Sequence, residues 1–262
     1  LSLQPLLDLL AQFCHDLGPD FLKFYERSVN SMVNLLEAAV SFESSDVFEW
    51  TFNCLAYVFK YLSRYLTEDL VPTFNLLFPL LSHSKTYLAR FSAEAMSFLI
   101  RKSNLKNLVG FVSFALKKLV DVQENNFYDG LLALFTEALV STQEALHSKC
   151  RSILDIVIGE ALATSSDRCG SLLCDLWINL ARHASFENLQ PVFENVVYKL
   201  QDIINANNIN QATKVITTIS FAESGKKVGN WTPIVEVVKV IITQKDRTKL
   251  SAQTVAFLFM VL

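Results

Sequence analysis

The sequence predicts an all-α chain built as a stack of two-helix units, and three observations carry that prediction. Candidate helices fill almost the whole length, and no segment is convincing as a strand. Alternate helices begin near residues 3, 46, 85, 126, 167, 208 and 250, a period of roughly 40 residues. Hydrophobic residues make up 51% of the chain and charged residues only 19%, which leaves apolar surface for more than one covered face per helix. A two-helix unit cannot bury both of its faces alone. Stacking such units makes an elongated core in which each unit touches only its neighbours.

Taken in order, the helices fall near 3–17, 20–40, 46–66, 69–81, 85–102, 104–120, 126–141, 144–163, 167–184, 188–204, 208–222, 232–243 and 250–262. Ordinary stop signals separate them: Gly18-Pro19, Ser44-Ser45, the Ser82–Ser84 turn, Glu124-Asn125-Asn126, Thr164–Asp167 and Asn207-Asn208. Gly225 to Pro233 is a further break, and Gly225 to Asn230 within it is the longest irregular connection, with an irregular loop expected near 224–232. Val215–Ile219 and Val235–Ile242 are β-branched, but the surrounding helical pattern overrides that weak local preference. The whole of 1–262 reads as one continuous stack, a piece of a much larger protein.

The helix at 46–66 sets the pattern. Phe48, Phe52, Leu55, Phe59, Leu62 and Leu66 step by four and three and so share one face. Trp50, Cys54, Tyr57, Tyr61 and Tyr65 form a second, aromatic stripe that predicts packing between adjacent repeats, with stacking on RNA bases as the rarer reading. A helix apolar on two sides must be covered on two sides. Asp46 with Glu49 fits a capping-box start.

Residues 69–102 give the clearest repeat. Pro72 suits a first turn, and Pro79 bends or tightens the end of the first helix. After the polar turn, Leu88, Phe91, Ala95 and Leu99 are expected to be buried. Tyr87, Arg90, Glu94, Ser97 and Arg101 are expected on the opposite stripe, with Arg90 and Glu94 paired at i,i+4. A helix ending in Pro79-Leu80-Leu81, a short turn, then a helix with small Ala89, Ala93 and Ala95 resembles a HEAT repeat, and the fold class is an α-solenoid of HEAT- and armadillo-like helical hairpins. His83 stands where that pattern has an acidic residue.

Charge is distributed unevenly. Residues 1–84 carry ten acids and four bases, a net −6. Residues 85–120 carry seven bases and only Glu94, a net +6. Arg101, Lys102, Lys106, Lys117 and Lys118 are therefore the candidate contacts for RNA phosphates or an acidic partner segment, against the plainer reading of a solvated helix face.

Signals for chemistry are missing. No phosphate-binding glycine loop, dinucleotide fingerprint, nucleophile elbow or H-E-x-x-H pattern occurs, and no cofactor, metal or small-molecule substrate is expected. Cys169, Cys174 and His183 match no standard zinc spacing. The five cysteines, Cys14, Cys54, Cys150, Cys169 and Cys174, read as reduced thiols, most of them at apolar helical positions. No apolar run approaches the roughly 18 residues of a membrane span.

Two stretches carry a family resemblance. Phe48 to Leu62, reading FEWTFNCLAYVFKYL, and Ala89 to Lys102, reading ARFSAEAMSFLIRK, resemble signatures of the "down-regulated in metastasis" family, the very large HEAT-repeat component of the small-subunit processome. The resemblance covers about 55 residues and implies the N-terminal part of a longer chain. It implies a nucleolar scaffold, not an enzyme, acting in pre-rRNA processing alongside processome proteins, a small nucleolar ribonucleoprotein and pre-rRNA. It also implies structural roles for Phe52, Leu55, Phe59, Phe91 and Phe98 as core residues. Periodicity by itself leaves two alternatives open: a HEAT-repeat nuclear-transport receptor or adaptor, and the scaffold array of a kinase or phosphatase complex.

Overall fold

A computed structural model of the protein describes residues 3–122, 124–140, 147–163 and 167–181, together with Val235, Glu236, Lys239 and Thr243. Among the described residues the chain is helical throughout, without strands: α1 (Leu3–Leu17), a 3-10 turn (Gly18–Phe21), α2 (Leu22–Ser41), α3 (Ser45–Leu66), α4 (Val71–Leu81), α5 (Thr86–Lys102), α6 (Leu105–Val122), α7 (Asn125–Val140), α8 (His147–Ala163) and α9 (Asp167–Ala181). The fold is an all-α array of helical hairpins. The helices expected at 188–204, 208–222 and 250–262 and the loop near 224–232 lie outside the described residues, and of the helix expected at 232–243 only Val235, Glu236, Lys239 and Thr243 are described, all four helical.

The helices group into two compact units, Leu1–Phe114 with Gln123–Ala138, and Ala115–Val122 with Leu139–Leu262. In the first unit α3 is the inner helix, packed against α1, α2 and α5. Its Leu55, Val58, Phe59 and Leu62 are essentially inaccessible, as the two-sided apolar pattern requires. Polar groups that enter this core bring partners. The Tyr25 hydroxyl of α2 meets Thr73 Oγ1 of α4 at 2.8 Å, and Cys54 Sγ donates to the Leu7 carbonyl of α1 at 3.2 Å.

Helix ends are satisfied by local chemistry. Pro72 sits in the first turn of α4, where Asp69 Oδ1 accepts the Val71 N–H. Pro79 lies inside α4, which nevertheless runs on to Leu81. His83 Nδ1 accepts the Lys85 N–H, so the imidazole closes the turn between α4 and α5. The Thr67 carbonyl at the end of α3 accepts Asn107 Nδ2 at 3.0 Å and Ser103 Oγ at 3.3 Å. The capping box expected from Asp46 and Glu49 does not form. Ser44 is the N-cap of α3, with no side-chain capping bond, and Asp46 lies in the first turn.

Phe74 of α4 gathers a phenylalanine cluster. It meets Phe111 at 5.3 Å, Phe127 at 6.1 Å and Phe114 at 6.2 Å between ring centroids, with tilted or edge-on geometry. Such pairs contribute about 0.5–1.5 kcal/mol each beyond their area. Gly130 lets α7 approach the end of α4, because a β-carbon there would collide with the Leu81 carbonyl. In the second unit α8 and α9 pack on each other, with Leu154, Val157, Leu173 and Trp177 fully buried.

Candidate interaction surfaces

The predicted basic residues occupy unlike environments. Arg101 is half-buried near the end of α5, where Nη1 donates to Ser97 Oγ at 2.9 Å and to the Glu137 carbonyl of α7 at 3.4 Å. Burial pushes its guanidinium pKa below the ordinary value, against the opposing pull of Glu137 and Glu94. Arg101 thus ties α5 to α7. Lys102 is exposed, with Nζ 4.6 Å from the Phe98 ring centroid, a cation–π contact that leaves the ammonium facing water. Lys106 is exposed in the first turn of α6. Lys117, exposed, and Lys118, half-buried with its pKa lowered by burial, belong to the second unit.

Two parts of the expected α5 face are corrected. Phe91 is 39% exposed rather than core, and Ser97 is buried rather than on the polar stripe. The buried arc of α5 is made by Leu88, Ala89, Ser92, Ala93 and Met96, which places Phe91 beyond its edge at about 100° per residue. Arg90 and Glu94 are exposed and form no ion pair among the described residues. Of the five aromatic or aliphatic residues that the resemblance placed in the core, Leu55 and Phe59 are buried, whereas Phe52 and Phe98 are half-buried.

Phe91 instead joins an aromatic group at one edge of the first unit. Its ring lies 5.4 Å from Phe48 and 5.1 Å from Phe52, and Phe48 lies 5.8 Å from Tyr87. These rings line an open cleft of about 700 Å³ between the end of α2 and the starts of α3 and α5. A second apolar groove, of about 610 Å³, runs between α1 and α2, where Leu6, Phe13 and Phe24 are about half exposed. On α3, Tyr57 is 47% exposed and stacks on Tyr61, while Trp50, Tyr61 and Tyr65 are half-buried. Sequence reasoning misses the cleft because large aromatic residues at helical spacing read as core. The available signal is the run of small residues on the neighbouring arc of α5, which marks the side where helices approach.

Among the described residues no group of three or more His, Cys, Asp and Glu is placed to hold a metal ion. The side chain of Cys169 and all of His183 lie outside the described residues. No helix among the described residues is long and apolar enough to cross a membrane.

No family model matches the sequence. Two curated proteins do. The U3 small nucleolar RNA-associated protein 20 of Saccharomyces cerevisiae is 55% identical over 261 residues, which is 98% of this chain. The chain belongs to the family of that protein. The protein of the same description from Schizosaccharomyces pombe is 29% identical over 202 residues, 76% of this chain. The chain spans only 10% and 8% of the length of these two relatives, so it is a segment-sized match to a much larger protein of the family. Identity runs through nearly all of the chain, so the relationship extends well past the two signature stretches.

Proposed function

We propose that this chain is a scaffold segment in early small-subunit ribosome assembly, within the small-subunit processome of the nucleolus. The observation that supports this most is the 55% identity over 98% of the chain to a protein described as U3 small nucleolar RNA-associated. The structure supports a scaffold's way of working. It offers exposed helical faces, with apolar clefts open on the first unit and lysines exposed on α5 and α6. On such a scaffold many individually weak contacts act together through effective concentration while processing enzymes work elsewhere in the particle. The experiment is to purify the parent protein after mild cross-linking in cells and sequence the RNA that comes with it. Recovery of precursor ribosomal RNA and the U3 small nucleolar RNA is expected. Recovery of transport cargo without either RNA would favour the nuclear-transport reading instead.

Within that role, Lys102, Lys106, Lys117 and Lys118 are the proposed contacts for RNA phosphate or an acidic partner segment. Arg101, whose guanidinium already holds α5 to α7, and the half-buried Lys118 rank below the exposed Lys102, Lys106 and Lys117. Changing all four lysines to Glu should flatten the log–log salt dependence of RNA binding by roughly one unit per lost contact. An unchanged slope would remove RNA as their partner.

A further inference from the structure

The cleft at the α2–α3 corner has features that helix packing alone does not demand. Phe91 and Tyr87, at 39% and 45%, keep much of their rings in solvent although both touch Phe48. The lining carries two carboxylates, Glu43 and Glu49, against a single Lys85.

Glu43 adds an independent observation. The α2 helix ends in a Schellman motif, with Ser44 N–H donating to the Ala39 carbonyl at 2.9 Å and Glu43 N–H to Val40 at 3.4 Å. The residue just past the C-cap, the donor of the second bond, adopts left-handed backbone in this motif, and glycine is the usual choice. Here it is Glu43, with φ of 53°. Holding a glutamate in this conformation costs stability, and the side chain thereby gained is a carboxylate on the rim of the cleft.

We propose that this cleft docks a short peptide segment of a partner protein that carries an apolar side chain next to an arginine or lysine. The apolar residue would cover the exposed faces of Phe91 and Phe48, and the neighbouring cation would reach Glu43 and Glu49. Charge argues against RNA as the occupant. A nucleotide stacked on Phe91 brings phosphate towards two carboxylates, whereas single-strand binding surfaces pair their aromatics with cations. A cleft of about 700 Å³ lies in the size range that holds one or two side chains rather than a whole domain. This inference rests on the local geometry and stands apart from the role proposed in ribosome assembly.

The test is selection of a phage library displaying random dodecapeptides on the full chain, with the Phe91→Ser chain as counter-target. A fluorescent copy of the enriched peptide and an oligouridine RNA then serve as binding probes. Enrichment of sequences with arginine or lysine beside a large apolar residue is expected. Glu43→Lys with Glu49→Lys should weaken the peptide about tenfold, with helicity unchanged, since both residues are exposed. Glu43→Gly separates function from structure: it should raise the unfolding midpoint while lowering peptide affinity. No enrichment over the counter-target, or enriched peptides indifferent to the charge reversals, would overturn the proposal. So would oligouridine binding that Phe91→Ser abolishes, which would assign the cleft to nucleic acid.

Discussion

Replacing Gly130 by alanine sets two opposing effects against each other, and the structure decides which wins. In a helix interior open to solvent the change is favourable by about 1 kcal/mol, because glycine loses more backbone freedom on folding. At Gly130 the new methyl would overlap the Leu81 carbonyl oxygen and stand 2.9 Å from the carbonyl carbon. The obstacle is backbone at the end of α4, so no flexible side chain can swing aside. Overpacking of this kind costs about 1–3 kcal/mol, and a clash with backbone belongs at the upper end of that range. Gly130→Ala should therefore destabilise the first unit by about 1–2 kcal/mol net. Gly110 in α6 is the internal control: it is exposed, and a β-carbon there meets nothing within 4 Å. Gly110→Ala should stabilise by about 1 kcal/mol. Urea unfolding followed by far-ultraviolet circular dichroism reads both, and the two midpoints should move in opposite directions. A Gly130→Ala midpoint at or above that of the parent would refute the close seating of α7 on α4.

Three other outcomes follow from the same core. Tyr25→Phe removes the partner of Thr73 Oγ1, which is only 1% exposed, and should cost about 1–3 kcal/mol in denaturant unfolding. Adding Thr73→Val should restore part of that loss, and strict additivity of the two changes would mean that the bond is absent. Phe59→Ala, at a site 1% exposed, should cost about 3–5 kcal/mol, and a loss below about 1 kcal/mol would misplace the core face of α3. Burial pushes Cys14 up to about 11 and Cys54 up to about 12 from an ordinary 9.0, by desolvating the thiolate. These thiols favour the folded state fully below pH 9, where folded and unfolded chains both hold the proton. Above pH 9 the unfolded chain ionises first, so stability should fall as the pH rises towards 11 for Cys14 and 12 for Cys54. Each thiol should remove about 1.4 kcal/mol for every pH step of one that it spans in this way. Unfolding midpoints measured from pH 8 upward, with Cys14→Ala as the comparison, would show it, and a flat profile would contradict the burial of both thiols.

The helices are legible in the sequence because their signals are local. Pro72 and the Ser82–Ser84 turn sit where the structure starts and stops α4, and the four-three spacing from Leu55 to Leu66 marks the buried face of α3. Which side of α5 is covered is harder to see, because that depends on where neighbouring helices stand. Size suggests Phe91 for the core, yet the helices approach on the Ala89, Ser92 and Ala93 side, and the phenylalanine is left at the edge. Arg101 reads as a surface cation for the same reason. Its bond to the Glu137 carbonyl joins residues 36 positions apart, a contact that no local pattern encodes. The start of α3 shows a third limit: Asp46 and Glu49 match a capping pattern, but the helix begins at Ser45 after a left-handed Glu43 has already fixed the chain's path.

The most direct test of the scaffold account is to delete residues 1–262 from the parent protein in cells and follow ribosomal RNA precursors by hybridisation blot. The account predicts that unprocessed small-subunit precursor accumulates and mature small-subunit RNA falls, with the large-subunit RNA little changed. Normal processing, with the truncated protein stable and still bound to the U3 small nucleolar RNA, would contradict it.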